Sequence, residues 1–248
     1  MIECAENTLA LKQYLSPYGI ELEDKQLSLI LRHLDLIVEK NKVMNLTRII
    51  EPKEAIIRHD VDSLLLLPSI QDNIDISQAR FLDIGTGGGV PGIPLGIASG
   101  MRGTLVDSIG KKVNAVSEFI HDLGLEDHLV AKNARAEEIA LTEDNSYDVV
   151  VSRAVGGLGI LVEYATPLLS RDGLLVVSKA NIKDSEVEAG VETGKITGLE
   201  LVSRETYELP EDSGHREIFT FRRVAKSRVK LPRANGYAKS KPLVVEKK

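Results

Sequence analysis

The stretch from Arg80 to Gly92, R-F-L-D-I-G-T-G-G-G-V-P-G, constrains what this chain can fold into more than any other. A short apolar run ends in an acid. A glycine-dense turn follows, then an apolar segment able to form a helix. Strand, loop, helix is the order in which an α/β sheet presents a nucleotide-like ligand at the carboxyl end of its strands. Gly85, Gly87, Gly88 and Gly89 lack Cβ atoms, so this turn is free to enter positive φ and bring backbone close to a ligand. A glycine-rich turn alone also describes an ordinary tight turn. The second signal is Leu105-Val106-Asp107: Asp107 lies 22 residues beyond Gly85, the spacing at which a second strand delivers a carboxylate to ribose hydroxyls.

The flanking sequence extends the pattern. Strands are expected at 80–84, 103–107, 128–132, 147–151 and 173–178, and helices at 90–99, 110–123 and 157–169. This alternation predicts a Rossmann-like α/β fold, a mostly parallel twisted sheet with helices on both faces. The runs Val149-Val150-Val151 and Leu174-Leu175-Val176-Val177 suit strands buried on both sides. The chain divides into an N-terminal helical extension (1–70), the sheet domain (71–223) and a basic tail (224–248). In the extension one helix lies around 5–15, and a second carries Leu27, Ile30, Leu31, Leu34, Ile37 and Val38 at helical spacing. Asn41 to Thr47 breaks that pattern. Pro52 opens a third helix and Pro68 ends it. On it His59 and Asp62 can share a face, either over the ligand or as a pair bracing the helix. Further on, 184–195 reads as a helix, and Leu199 to Tyr207 and Arg216 to Arg223 as an antiparallel edge pair. The tail lacks periodicity and reads as extended or mobile.

Charge sets the tail apart. Residues 222–248 hold ten Lys/Arg and one acid, or +9, so the remainder carries −15 of the net −6. A basic terminus on an acidic body fits local contact with a polyanion, or simply a solvated tail. No apolar run reaches membrane-spanning length, the first residues lack the cations of a secretory signal, Cys4 has no partner, and no Cys/His cluster points to a metal. A cytoplasmic monomer with no membrane contact and no metal is expected.

Hydride transfer and methyl transfer both use the strand–glycine–acid arrangement. Here the register is Asp83-x-Gly85-x-Gly87-x-Gly89, not the G-x-G-x-x-G of a pyrophosphate loop. It favours S-adenosylmethionine, whose amino-acid end carries no pyrophosphate. Asp107 would take the ribose hydroxyls. Asp83 would address the amino group, or cap the turn. Past the third strand, Arg135, Ala136 and Glu137 would border the adenine, or Arg135 and Glu137 would form a local ion pair. Arg153 closes the fourth strand, at the edge where substrate sits beside cofactor, and Lys179 closes the fifth in the same sense. No Asn/Asp-Pro-Pro-aromatic stretch follows the fourth strand and no cysteine falls in the core. Amino-group methylation and a cysteine route to a pyrimidine carbon are thereby excluded, which leaves ring nitrogens and oxygens.

Several stretches together resemble the bacterial glucose-inhibited division protein B family, the ribosomal RNA small subunit methyltransferases G. They are Asn45-Leu46-Thr47, Arg58-His59 with Asp62-Ser63-Leu64, Phe81 to Leu95, Asp107-Ser108 with Gly110-Lys111-Lys112, Arg135 with Glu137, Ser152-Arg153-Ala154, His215-Arg216, and the tail P-R-A-N-G-Y-A-K-S-K-P-L. The resemblance spans roughly 40–243. It implies methyl transfer from S-adenosylmethionine to N7 of a guanine in 16S rRNA, in the decoding region of the small ribosomal subunit. It implies cofactor contacts at Gly85, Gly87, Asp107 and Ala136-Glu137, and RNA or catalytic-pocket contacts at Arg135, Arg153 and Lys112. Two positions depart from the family pattern and bear on RNA docking. Ala180 follows Lys179 in place of glycine, and Ala234 stands where the tail motif often has lysine.

Guanine N7 has an in-plane lone pair and no proton to lose, so alignment, not a general base, is what the protein must supply. A cation beside N7 would oppose the charge developing on the ring. Arg135, Arg153 and Lys112 are therefore expected on phosphates or guanine O6, and the tail is expected to add affinity by neutralising phosphates. The competing readings are a methyltransferase for a small molecule or a protein, a nicotinamide-dependent dehydrogenase, and a non-enzymatic ribosome-binding factor.

Overall fold

The computed structural model describes residues 1–153 and 155–245; Ala154 of the Ser152-Arg153-Ala154 motif, and Glu246, Lys247 and Lys248 of the tail, lie outside them. Seven strands form one sheet: β1 (Arg80–Ile84), β2 (Arg102–Asp107), β3 (Leu129–Asn133), β4 (Tyr147–Arg153), β5 (Leu169–Lys179), β6 (Leu199–Glu208) and β7 (His215–Arg223). Their order is β3-β2-β1-β4-β5-β7-β6. The first five are parallel, and β7 runs antiparallel between β5 and β6. The strand order reverses between β1 and β4. That switch point opens a crevice at the carboxyl ends of the strands, where such sheets bind ligands.

Side-chain alternation assigns the two faces. Phe81, Val149, Val151, Leu174 and Val176 join one core, and Leu82, Ile84, Val150, Leu175 and Val177 join the other. The first core receives α1 (Ala5–Leu15), α2 (Asp24–Asn41) and the helical run 52–71, so the N-terminal extension shares its core with the sheet. In α2 the expected stripe Leu27, Ile30, Leu31, Leu34 and Ile37 is fully buried, while Val38 is only partly so. Gln26 of this helix donates to the carbonyls of Ile97 and Ala98 at 2.9 and 3.1 Å.

The run 52–71 departs from the single helix expected. It comprises α3 (Pro52–Ala55), a π-helical turn (Ile56–Val61), α4 (Asp62–Leu64) and α5 (Leu66–Gln71). Pro68 does not end it. It lies in the first turn of α5, where a missing N–H costs nothing. On the same face lie α6 (Gly92–Ser99) and α7 (Gly110–Asp122); the other is covered by α8 (Ala136–Thr142), α9 (Leu158–Ala165) and α10 (Asp184–Thr197).

The tail is not free between Val224 and Ser240. It folds back along α8 and α9 and ends in α11 (Tyr237–Ser240), with Ala238 buried in the second core. Its docking depends on Glu137, Glu138 and Glu163, which receive Gly236, Asn235 and Arg233. Periodicity within the tail carries no trace of such long-range partners.

Candidate active site

The loop after β1 adopts the conformation its glycines allow: φ is 77° at Gly85, 58° at Gly87 and 90° at Gly89. A Cβ on Gly85 would lie 2.3 Å from Val155 Cγ2, and one on Gly89 2.7 Å from Ile93 Cδ1. Asp107, at the end of β2, clasps the loop. Its Oδ2 accepts from the Gly87 N–H at 3.1 Å and its Oδ1 from the Ile109 N–H at 2.9 Å. Each oxygen keeps a further acceptor position, since a carboxylate has about four.

Asp83 lies beneath the loop, fully buried. Its Oδ2 accepts from the Gly92 N–H at 3.0 Å, which fixes the entry to α6, while Oδ1 has no partner. Burial pushes its carboxyl up to about 7. Asp83 borders neither cavity described below, so its placement shapes the loop.

Two cavities meet at this loop. A cleft of about 360 Å³ has apolar walls from Ile84, Val106, Ile109, Ala136 and Val155, the carboxylates of Asp107 and Glu137, and the cations Lys112, Arg135, Arg153 and Lys239. A second cavity of about 200 Å³ lies between the loop, Leu46-Thr47, Ile37 and His59. Gly85 and Arg153 border both.

Arg153, at the end of β4, is only 13% exposed in its side chain, and Asp62 Oδ2 sits 3.2 Å from its Nη1. The same nitrogen donates to the carbonyls of Arg58 and His59 at 3.0 and 3.3 Å. Asp62 is a hub: its Oδ2 also pairs with Arg216 Nε at 2.9 Å and its Oδ1 accepts from the Ser178 hydroxyl at 3.1 Å. His59 does not pair with Asp62. The π-helical turn spreads the two apart, and His59 Nε2 instead lies 3.1 Å from Thr47 Oγ1 and 3.3 Å from the Ile49 carbonyl. Burial lowers His59 to about 4 and His33 to about 3, so both rings are neutral near pH 7. His33 Nε2 lies 3.0 Å from the Gly88 carbonyl and holds the loop from behind. Asp60 is wholly buried with neither oxygen partnered, and burial raises it well above the usual carboxylate range.

The remaining expected residues are distributed as follows. Gly87 borders the second cavity, while Gly89 turns toward His33. Ala136 and Glu137 border the cleft, but Glu137 Oε1 already accepts from the Gly236 N–H at 2.8 Å. Arg135 is exposed and does not pair with Glu137; its backbone N–H donates to Glu138 at 2.8 Å. Lys179 pairs with Glu186 at 2.8 Å and borders neither cavity. Sequence reading missed His33, Asp60, Val155, Tyr164 and Lys239. Of these, His33 had a signal: it falls three residues after Ile30 and four before Ile37, on the buried stripe.

Solved structures share this architecture. M. jannaschii TYW2 in complex with AdoMet matches with a TM-score of 0.54 over 73% of this chain and 81% of that one, at 14% identity. The [4+2]-cyclase SpnF matches with a TM-score of 0.54 over 66% and 82%, at 13% identity. The chain has the fold of the class I S-adenosylmethionine-dependent methyltransferases. As the cyclase shows, this fold alone does not fix the reaction. The family model described as rRNA small subunit methyltransferase G (GidB) matches residues 26–213. The Ribosomal RNA small subunit methyltransferase G of Desulforamulus reducens is 35% identical over 239 residues, 95% of this chain and 98% of that protein. Its namesake from Desulfitobacterium hafniense is 36% identical over 229 residues, 91% and 93% of the two chains. The chain belongs to the rRNA small subunit methyltransferase G family, and S-adenosylmethionine is its cofactor.

Proposed function

We propose that the protein methylates N7 of a guanosine in the 16S rRNA of the small ribosomal subunit. The observation that carries the reading is the Asp107–Gly87 clasp at a cleft that meets a second cavity at Gly85 and Arg153. These residues fit the cofactor. Asp107 keeps acceptor positions for ribose hydroxyls, Ile109, Ala136 and Val155 form apolar walls for an adenine, and at Gly85 the absence of a Cβ lets Val155 close against the loop. The methionine end would lie against Gly85-Thr86-Gly87, toward the second cavity. When bound, S-adenosylmethionine supplies a methyl group on a positively charged sulfur.

The chain's own residues supply alignment and a suitable field. Guanine N7 needs no general base, and the two histidines beside the loop are poor ones: burial lowers His33 to about 3 and His59 to about 4, and both are committed to hydrogen bonds with protein groups. Arg153 is a cation that borders both cavities, and Asp62, which it shares with Arg216, offsets part of its charge. A methylated guanine ring gains positive charge, and a paired arginine opposes that charge far less than a free one. Arg153 can then offer its remaining N–H groups to guanine O6 or a phosphate.

The test is transfer of labelled methyl from S-adenosylmethionine to small subunits from cells lacking the activity, followed by separation of RNA, protein and small molecules. Label in 16S rRNA is expected. Label only in protein or in the soluble fraction overturns the reading.

A further inference from the structure

We infer that the C-terminal segment is a built wall of the RNA site, and that Lys239 within it is a phosphate-binding residue held in place by acids of α8 and α9. The inference rests on the function proposed above and adds a residue and a positioning device to it.

Three anchors fix the segment. The Arg233 guanidinium donates to both oxygens of Glu163, at 2.7 and 2.6 Å, in the bidentate geometry that holds direction as well as distance. Glu163 is 4% exposed. Asn235 Nδ2 donates to Glu138 Oε1 at 2.6 Å, and the Gly236 N–H to Glu137 Oε1 at 2.8 Å. Ala238 then plugs into the core beside α9. The next residue, Lys239, is thereby set on the rim of the cofactor cleft.

On that rim Lys239 joins Lys112 and Arg135. Among the described residues none of these three cations takes part in an ion pair. Unneutralised cations on the rim of the cofactor cleft, Arg135 and Lys239 exposed and Lys112 partly so, match the phosphodiesters of an RNA strand lying across that rim while its guanosine reaches the junction with the second cavity. The rest of the tail is placed elsewhere. Arg222 and Arg223 pair in register with Leu174 and Leu199, at the opposite end of the strands, and the chain runs on through Lys226, Arg228 and Lys230 before it returns. Lys241 lies over the Tyr237 ring, 5.4 Å from its centroid, and does not border the cleft. The tail thus acts at the site through the position of one lysine, not through its summed charge.

Position and summed charge predict different results. Lys239→Ala and Lys241→Ala remove the same charge. RNA affinity is measured on an unmethylated 16S rRNA fragment over a range of salt, and cofactor-site affinity with S-adenosylhomocysteine. Lys239→Ala is expected to weaken RNA binding roughly fivefold at about 0.15 M salt and to reduce the salt slope by about 0.7, the share of one phosphate on a single strand. Lys241→Ala should stay within about twofold, and both should bind S-adenosylhomocysteine as the wild type does. Glu163→Gln makes the protein more positive, yet it should weaken RNA binding because Arg233 loses its anchor. Equal effects of the two lysine variants, tighter RNA binding by Glu163→Gln, or a loss at Lys239→Ala confined to S-adenosylhomocysteine would each overturn the inference. If the wild type transfers no methyl to the RNA, the proposed function falls as well. If it does transfer and the lysine variants match, the inference alone falls.

Discussion

Replacing Asp62 by Asn probes the link between the fold and the site most sharply. The Asp62 side chain is 5% exposed and lies 3.2 Å from Arg153 Nη1 and 2.9 Å from Arg216 Nε, each arginine being 13% exposed. Asn keeps the shape and can keep the Ser178 bond, so no cavity opens. What is lost is the single negative charge between two largely buried guanidinium groups, which are left to repel each other. Removing one partner of a buried ion pair costs about 3–5 kcal/mol, because the remaining charge stays desolvated. Against a typical stability of about 5–15 kcal/mol this is a large fraction. Urea unfolding followed by circular dichroism should show a lower midpoint at an unchanged slope. The triple variant Asp62→Asn, Arg153→Met, Arg216→Met removes the stranded cations and should regain most of the stability, while methyl transfer stays lost because Arg153 is gone. If Asp62→Asn lies within about 1 kcal/mol of wild type, a range typical of exposed pairs, the hub is solvated and the reasoning fails. If the triple variant methylates at the wild-type rate, Arg153 has no part in the site.

Three further outcomes follow from the same geometry. Gly85→Ala places a Cβ 2.3 Å from Val155 at φ 77°, and should lower S-adenosylhomocysteine affinity more than about tenfold by calorimetry, whereas Gly100→Ala, at φ 70° with open space around it, should leave that affinity unchanged; equal affinities in both would remove the cofactor from this loop. Arg153→Ala should cut turnover on RNA about 100-fold through lost alignment while S-adenosylhomocysteine affinity changes little; equal losses in both would make Arg153 a cofactor residue only. Asp83, displaced from 3.8 to about 7 by burial, favours the folded state when protonated, so its contribution is present below pH 4 and is lost as pH rises through 7. In Asp83→Asn that loss is absent, and the unfolding free energy should rise between pH 4 and pH 8 by about 4 kcal/mol more than in wild type; parallel profiles would show that Asp83 does not titrate from a buried state.

What was legible in the sequence is what neighbouring residues encode. The glycine loop, Asp107 and most strand starts are local patterns and appear within a residue of their expected places, whereas β5 begins at Leu169, four residues before the expected 173. The buried stripe of α2 follows the helical period for the same reason. The Asp62 hub was not legible, because Asp62, Arg153, Ser178 and Arg216 come from four elements far apart in the chain. Asp62 and His59 looked like a pair only on the assumption of a regular helix, and the π-helical turn removed that assumption. The tail looked free because nothing local marks its holders: Glu137 read as a residue bordering the adenine or pairing with Arg135, and Glu138 and Glu163 carry no signal of a partner about 70 to 100 residues away. Asp83 read as addressing the amino group of the cofactor or as capping the turn; its complete burial beneath the loop depends on α6, from whose Gly92 N–H it accepts.

The central claim is the atom that receives the methyl group. Reduction of an N7-methylated guanosine with borohydride destabilises the base, and aniline then cleaves the RNA strand at that nucleotide. Unmethylated small-subunit RNA treated with the protein and S-adenosylmethionine should show one new scission, at a single guanosine of 16S rRNA, and none when the cofactor is omitted or Gly85→Ala is used. Methyl label incorporated into the RNA without any new scission would place the methyl on another atom and contradict the account.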